Sequence, residues 1–547
     1  MSMKNTKKLN RKNYALLAAA MGLMWTGTAA AAPAIDDNPG QVREQLEQQQ
    51  AAADVENTVP NAVQAESTAS FMLNTLTITP DESLKFKAAD LAQITSRYEG
   101  TTVTLAELNK AAAEVTRYFR AHGYPAATAY LPEQKSTEGS ITIAVAPGRY
   151  GTITIDNQSK VKTAVLERLA KGLKNGALVE GRSLESVLYN IIGLGGVKAG
   201  GLLQPGANRG ESNLTIKVEN GKAETYVLYV NNYGSKAAGR YRYGFTADWY
   251  ELGGIGDHLG LNGMISNARQ KNFGLRYDLS TGHSGTRLGI GISHANYELG
   301  AAAAILGAKG TATTYSLYGT TPIYHTGHEA LNLNYGYDYR DMTDKFTAAG
   351  MRFDKKSSTG HIGLSGFKKG KTTLFSYGLT GYGGTVSGET MLGESGSFTK
   401  GTLDLSIVQD IAAQWDILIK GSAQITGNDL DSSEEMYLGG AGGVRAYPQG
   451  EGSGDKGVIA TAELRYHVPG VKELTLSTYF DAGNVSSETA GLNRDTTLKG
   501  WGIGVTYAKP NDFFARLDYA RRIGLGDNTS NDAQARQRLW FMLGKIW

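Results

Sequence analysis

The chain has 547 residues, too many for one core, and 55 basic against 52 acidic side chains leave a net charge of +3, which gives no electrostatic case for a nucleic-acid partner. It contains no cysteine, which excludes disulfides, thiolate catalysis and cysteine-ligated zinc. Seventy glycines, 29 tyrosines and a mean hydropathy of -0.30 are unusual for a soluble enzyme and suit strands with one lipid face and one wet face.

The N-terminus reads as a secretory signal, residues 1–34: basic Lys4, Lys7, Lys8, Arg11 and Lys12, an apolar stretch from Tyr14 to Trp25, then small residues to Ala34. Beyond it no apolar run reaches the roughly 18 residues of a transmembrane helix, so a membrane assignment must rest on strands. Residues 35–70 are expected to hold one helix and a linker. Gln41 to Ala53 is a good helix former with little to bury, fit for a solvated helix or for one lying in a polar channel. Asp54 to Ser70 is polar, contains Pro60 and lacks periodicity, so it reads as a flexible linker.

Residues 71–148 read as strand, helix, helix, strand, strand. FMLNTLTIT alternates with period two, and Thr104 with Glu107 forms a capping box for a helix running to Ala121. The segment Ala126, Ala127, Thr128, Ala129, Tyr130 and Leu131 forms a short strand beside ITIAVAP, and Pro132 after it favours a sheet edge. Residues 149–222 repeat the order: GTITID, two helical patterns, then GGLLQPG and NLTIKVE.

From residue 223 to 547 the texture is long alternation. Tyr241, Tyr243, Phe245, Ala247 and Trp249 interleave with Arg242, Gly244, Thr246 and Asp248; Leu331, Leu333, Tyr335, Tyr337 and Tyr339 interleave with polar residues in the same way. A soluble sandwich would also alternate, but strand length, tyrosine on the apolar face and export favour a transmembrane barrel. At roughly 20 residues per strand and connection, this region yields about 16 strands, the last being RLWFMLGKIW. The fold class is therefore an all-β transmembrane barrel preceded by two α+β modules and an N-terminal helix.

Catalytic chemistry has little material: eight histidines, His325 and His328 in one turn, and GGIGDHLG, which follows a strand and leads into another strand where a dinucleotide fingerprint would open a helix. No catalytic residue, metal site or cofactor is expected. The segment Gly427 to Gly457 is longer than a hairpin needs and carries Val444, Arg445, Ala446 and Tyr447, an apolar and aromatic setting unsuited to a solvated tip. Strand register turns Glu463 and Asp481 into the lumen. If the loop folds inward, Arg445 can meet Asp481 bidentately, a geometry lysine cannot reproduce.

At these residues the chain resembles the TpsB family, the outer-membrane transporters of two-partner secretion, also called haemolysin secretion and activation proteins. The likeness rests on the Gln-rich helix, on YFRAHGYPAATAYLPEQ and LYNIIGLGGVKAGGLLQPGANRGESNLTIKVENG, on VNNYGSKAAGRYRYG with GGIGDHLGL, and on GGVRAY with FDAG. The resemblance implies two periplasmic POTRA modules, a 16-strand outer-membrane barrel, a plug helix in the pore, and an inward loop with Arg445 bonded to Asp481. It implies export of a large TpsA-type exoprotein, unfolded and without ATP, after capture at the POTRA modules; a porin-like conduit in outer-membrane lipid without enzymatic activity is expected, and a monomer is expected although the sequence does not fix the oligomeric state. Ala126 to Leu131 is the candidate edge for adding a client strand. The alternative is an assembly factor of the same superfamily, which would carry more modules and no plug helix. Two departures stand out: the family commonly has glycine where this chain has Ala446, and Lys545 lies on the apolar register of the last strand.

Overall fold

Alternation decides the architecture. The computed structural model describes residues 54–59, 69–135, 138–268, 270–298, 307–388, 396–489, 492–524, 533 and 535–547; the signal segment and the helix expected at Gln41 to Ala53 lie outside them. The first module contains β2 (Ser70–Leu73), β3 (Thr75–Pro80), α1 (Ala88–Thr95), β4 (Thr101–Thr104), α2 (Leu105–Ala121), β5 (Thr128–Tyr130) and β6 (Ser140–Ala146). Thr104 and Glu107 close the capping box on α2 through both reciprocal bonds, which satisfies two backbone donors at the helix start. Leu108, Ala112, Val115 and Phe119 then pack on Leu76, Ile141 and Ile143 of the sheet. The stretch read as one strand breaks at Asn74 into β2 and β3, which join different sheets.

The second module repeats the order with β7 (Arg149–Gln158), α3 (Thr163–Ala170), α4 (Gly181–Ile192), β8 (Val197–Pro205) and β9 (Glu211–Asn220). Its sheet has a fourth member. Residues Asp54–Asn57 form β1, parallel to β8 with Asp54 opposite Gly200 and Asn57 opposite Leu203. This corrects the reading of Asp54 to Ser70 as a flexible linker: a polar tetrapeptide without periodicity becomes a strand because an edge offers it unpaired backbone groups. Its end is clasped by the first module, where Asn57 donates to the Pro125 carbonyl at 2.6 Å and Arg120 donates to the Val59 carbonyl at 3.1 Å.

The remaining strands close on themselves. They are β10 (Glu224–Asn231), β11 (Arg242–Tyr250), β12 (Asp257–Ser266), β13 (Lys271–Thr281), β14 (Thr286–Glu298), β15 (Ala308–His325), β16 (Glu329–Phe346), β17 (Met351–Lys369), β18 (Thr373–Gly388), β19 (Gly396–Ala412), β20 (Trp415–Thr426), β23 (Lys456–His467), β24 (Leu474–Thr489), β25 (Leu492–Ala508), β26 (Phe513–Arg522) and β27 (Gln537–Ile546). Each pairs antiparallel with the next, and β27 returns to β10 over five residues, Val227 opposite Ile546 to Asn231 opposite Met542. This is the 16-strand antiparallel barrel expected from the alternation. The paired β21 (Met436–Tyr437) and β22 (Ser453–Gly454) sit inside the connection from β20 to β23.

Burial is inverted relative to a soluble domain. Leu275, Ile290, Leu317, Ile362, Leu476 and Ile503 are exposed on the outer face, whereas Asp248, Arg340, Lys355, Asp481 and Asp518 are buried inside. Among the described residues no helix is long and apolar enough to cross a membrane. Lys545 points outward on the final strand, with its ammonium 3.7 Å from Asp512 in the turn from β25 to β26 and 5.5 Å from the centroid of Trp547, the contacts of a side chain that snorkels toward a polar rim.

Arg120 both clasps β1 and covers the first module's edge, so Arg120→Ala is expected to loosen β1. Loss of hydrogen bonds to a charged donor, about 1.5–3 kcal/mol, translates to roughly tenfold or more in local opening. Cleavage at Glu56 by a glutamate-specific protease measures it; an unchanged rate would show that pairing with β8 alone retains the strand.

Candidate functional site

The loop between β20 and β23 enters the barrel, and its own backbone holds its shape. Leu438 donates to Gly452, Gly439 to Glu451, Val444 to Leu438 and Tyr447 to Val444, at 2.7 to 3.1 Å. Leu438, Val444, Ala446 and Tyr447 are buried against Tyr479, Val485, Leu498 and Ala520 of the barrel wall. The turn presents Arg445 to β24: its Nε donates to Asp481 Oδ2 at 2.9 Å, its Nη2 to Oδ1 at 2.8 Å, and its backbone N–H to Oδ2 at 3.2 Å. Thr461 donates to the same carboxylate at 2.9 Å. Nη1 reaches Glu463 at 3.1 Å and Asp518 at 3.3 Å, and the guanidinium lies 3.1 Å from the centroid of the Tyr479 ring.

Arg516 completes the cluster, 2.7 Å from Asp518 and 3.8 Å from Glu463. Two cations therefore face three carboxylates, all supplied by β23, β24, β26 and the loop. A buried charge must be paired and hydrogen-bonded, and here every polar edge of the guanidinium has a carboxylate. The loop is tied to the last strand as well, since the Trp540 indole donates to the Arg445 carbonyl at 2.7 Å.

Ala446 has no left-handed backbone; among the described residues only Glu138, Glu251 and Asn511 adopt positive φ without being glycine. Space for its methyl group comes from the facing strand. A Cβ on Gly500 of β25 would lie 2.5 Å from the Ala446 Cβ, and one on Gly502 would strike the Tyr479 ring. The glycines of GWGIG point inward while Trp501 and Ile503 face outward. Sequence reasoning named Glu463 and Asp481 but missed Asp518, Arg516, Tyr479, Trp540, Gly500 and Gly502. The same alternation could have placed Arg516 and Asp518 inside, because Leu517 faces out.

The candidate client edge, Ala126 to Leu131, is less open than its position suggests. Only Thr128–Tyr130 is strand, at the edge of the order β3-β6-β5. Ala126, Ala127 and Ala129 are buried, the Ala129 N–H donates to Thr116 at 2.8 Å, and the Ala127 carbonyl accepts from Arg120 at 3.0 Å. Tyr130 is covered by Arg209, and Leu131 packs on the first module's core. The matching edge of the second module is the one that carries an added strand. In the IYHTGHEA turn His325 has structural work, stacking on Tyr189 of α4 at 4.4 Å.

GGIGDHLG forms the turn from β11 to β12, docked on the second module. Lys162 donates to the Gly254 carbonyl at 2.9 Å, and Tyr250 lies against Gly195 and stacks on His258. His258 bridges Asp248 and Asp278 at 2.9 and 3.0 Å. Glu251 starts the turn in left-handed conformation, buried, with Oε2 accepting from the Gly256 N–H at 2.9 Å. Burial pushes its carboxyl up to about 7, opposed by the Gly256 bond. Unfolded, it titrates near 4.5, so its ionisation weakens the folded state: stability is greatest below 4.5, falls as pH rises to 7, and falls no further above. Glu251→Gln is expected to abolish that loss. Thermal midpoints of the detergent-solubilised protein at pH 4.5 and pH 8 check it; the variant should exceed the parent only at pH 8.

Comparison with known proteins agrees with this geometry. Residues 210–507 match the family described as haemolysin secretion/activation protein ShlB/FhaC/HecB, and residues 77–148 match the ShlB-type POTRA domain. The chain is 26% identical to the heme/hemopexin transporter protein HuxB of Haemophilus influenzae, over 98% of this chain and all of that one. In fold it is similar to CdiB from Escherichia coli, with a TM-score of 0.69 at 17% identity over 99% of this chain and all of that one. A BamA from Haemophilus ducreyi lacking POTRA domains 1-3 is less similar, at 0.54 and 16% over 87% of this chain and all of that one. The family match spans more than half of the chain and takes in the lumen loop, Glu463 and Asp481. The chain belongs to the haemolysin secretion/activation protein family, the TpsB outer-membrane transporters of two-partner secretion, with its POTRA domain in the periplasm.

Proposed function

We propose that this chain receives one large TpsA-type exoprotein as an unfolded segment at its two periplasmic modules and passes it through the barrel without ATP. The lumen loop around Arg445 is the movable obstruction on that path. The observation that carries the reading is the Arg445 cluster: side-chain charges fasten the loop inside a closed barrel whose strands pair through their own backbone ladder. Full-length likeness to HuxB supports an exoprotein that handles haem or haemopexin as the client.

Capture by strand addition is supported at β8, whose edge already accepts β1 and would take a client segment in its place. The edge at Thr128–Tyr130 is the weaker candidate, because Thr116 and Arg120 occupy its outward backbone groups. The protein acts as a conduit and carries out no reaction of its own.

Arg445→Ala leaves Asp481 buried without its cation and Glu463 and Asp518 with Arg516 alone, a change on the scale of 3–5 kcal/mol at a buried pair, and is expected to cut export at least about tenfold. Arg445→Lys keeps the charge, loses the fork, and should fall between. Secreted partner and heat-modifiable barrel are measured in the same cells. Normal export with Arg445→Ala would sink the reading; a barrel that no longer shifts on heating would mean that assembly, and not export, had failed.

A further inference from the structure

The Arg445 cluster holds only the tip of the loop. Its outer arm, Leu430 to Glu435, meets a second buried charge cluster on a different stretch of wall, and there the polarity is reversed. Lys355 of β17 donates to both oxygens of Asp431, at 2.8 and 2.9 Å. Lys400 of β19 lies 2.9 Å from the Glu434 carboxylate and donates to the Glu434 carbonyl at 2.9 Å, and Arg340 of β16 is 3.4 Å from the same carboxylate. All four of Arg340, Lys355, Asp431 and Glu434 are at most 6% exposed, unlike a surface ion pair of little worth.

The arm is shaped to present its acids. Ser433 N–H donates to Asp431 at 3.0 Å and Glu434 N–H to the Asp431 carbonyl at 2.7 Å, a tight turn that puts both carboxylates toward the wall. Leu430 inserts between Val386 of β18 and Phe398 of β19. Gln424 ties the two ends of the loop together, donating to the carbonyls of Glu434 at 3.0 Å and Asp455 at 2.9 Å. The loop thus gives acids to cations on β16, β17 and β19 and gives a cation to acids on β23, β24 and β26.

We propose that Asp431 and Glu434, with Lys355, Lys400 and Arg340, form a second latch, so that the loop is a strap fastened to the barrel at two points, either of which keeps it in the lumen. The two latches cannot exchange partners, because each end of the loop carries the charge its own wall attracts and the other wall repels. Asp431 and Glu434 are positioning residues: they act through the loop and touch no client. The inference rests on the reading that this loop obstructs the export path, but it is tested without a client.

The chain has no cysteine, so Val444→Cys supplies a single thiol at a fully buried loop position. The full-length transporter in outer membranes is treated with a membrane-impermeant maleimide, and planar-bilayer conductance is recorded on the same variants. Asp431→Asn with Glu434→Gln removes the outer latch, Arg445→Ala the inner one. Each alone is expected to raise labelling less than about tenfold, and both together about a hundredfold or more, with a matching rise in conductance, because a second buried anchor then no longer holds the loop. Exchanging charges, Lys355→Asp with Asp431→Lys, in the Arg445→Ala background should restore slow labelling. Equal labelling with one or both latches removed would overturn the strap, as would a full rise on losing the outer latch alone. Heat-modifiability confirms assembly, and Lys355→Met with Lys400→Met repeats the outer test from the wall side. Failure of the export reading shows separately, as normal secretion by Arg445→Ala.

Discussion

A guanidinium buried inside a barrel wall cannot stand alone, and much of the C-terminal third follows from that constraint. Arg445 needs carboxylates at fixed places, and they come from β23, β24 and β26, so the loop position depends on the register of those strands. A one-residue slip would turn Glu463, Asp481 or Asp518 to lipid, where a charge is far costlier. The last strand joins the arrangement through Trp540, which donates to the Arg445 carbonyl. That strand closes the barrel on β10 over only five residues, against eighteen pairs between β16 and β17. The loop therefore braces the wall beside its shortest seam.

The periplasmic end is joined as firmly. Helix α4 docks on the turn from β15 to β16: Arg182 pairs with Glu329, Ser186 donates to the His325 carbonyl at 3.0 Å, and the Gly327 N–H donates to Glu185 at 3.0 Å. On the next turns Asn190 donates to the Ser284 carbonyl and Arg168 to the Ser280 carbonyl. The first module is bound in turn through Ala126, packed in the second module's core, and through the residues that clasp β1. The strand added at β8, which is β1, thus lies on a sheet whose helices rest against the barrel mouth, so that edge is fixed relative to the pore.

What was legible in the sequence followed from periods that one element carries by itself. Alternation placed the barrel strands, the capping box started α2 at the right residue, and register put Glu463 and Asp481 inside. The same register rule contained Arg516 and Asp518, but nothing in the local sequence said they would meet a loop from elsewhere. Gly500 and Gly502 read as ordinary barrel glycines until Ala446 and Tyr479 fill the space in front of them. Strand β1 was invisible for a different reason: Asp54 to Asn57 has no pattern, and only the free edge of β8 makes it a strand. At Thr128 the sequence shows an edge but not its occupancy, because periodicity does not reveal that Thr116 bonds the Ala129 N–H and Arg120 the Ala127 carbonyl.

Fastening the loop with buried ion pairs in addition to its apolar contacts has a physical logic suited to a conduit. A buried pair contributes little net stability because its attraction is offset by lost hydration, yet removing one partner strands the other at high cost. When the loop leaves the wall and water fills the space, both partners regain water together, so displacing the loop costs far less than substitution of Arg445 would suggest. An apolar plug of similar size would expose greasy surface to water in the open state and to an unfolded client as well. Charged fastenings leave a wet wall behind, with Asp481, Glu463 and Asp518 on one side and Lys355, Lys400 and Arg340 on the other, to which an extended polypeptide has little reason to adhere. On the proposed export path, the residues that fasten the loop are also the ones that leave the wall polar once it is displaced.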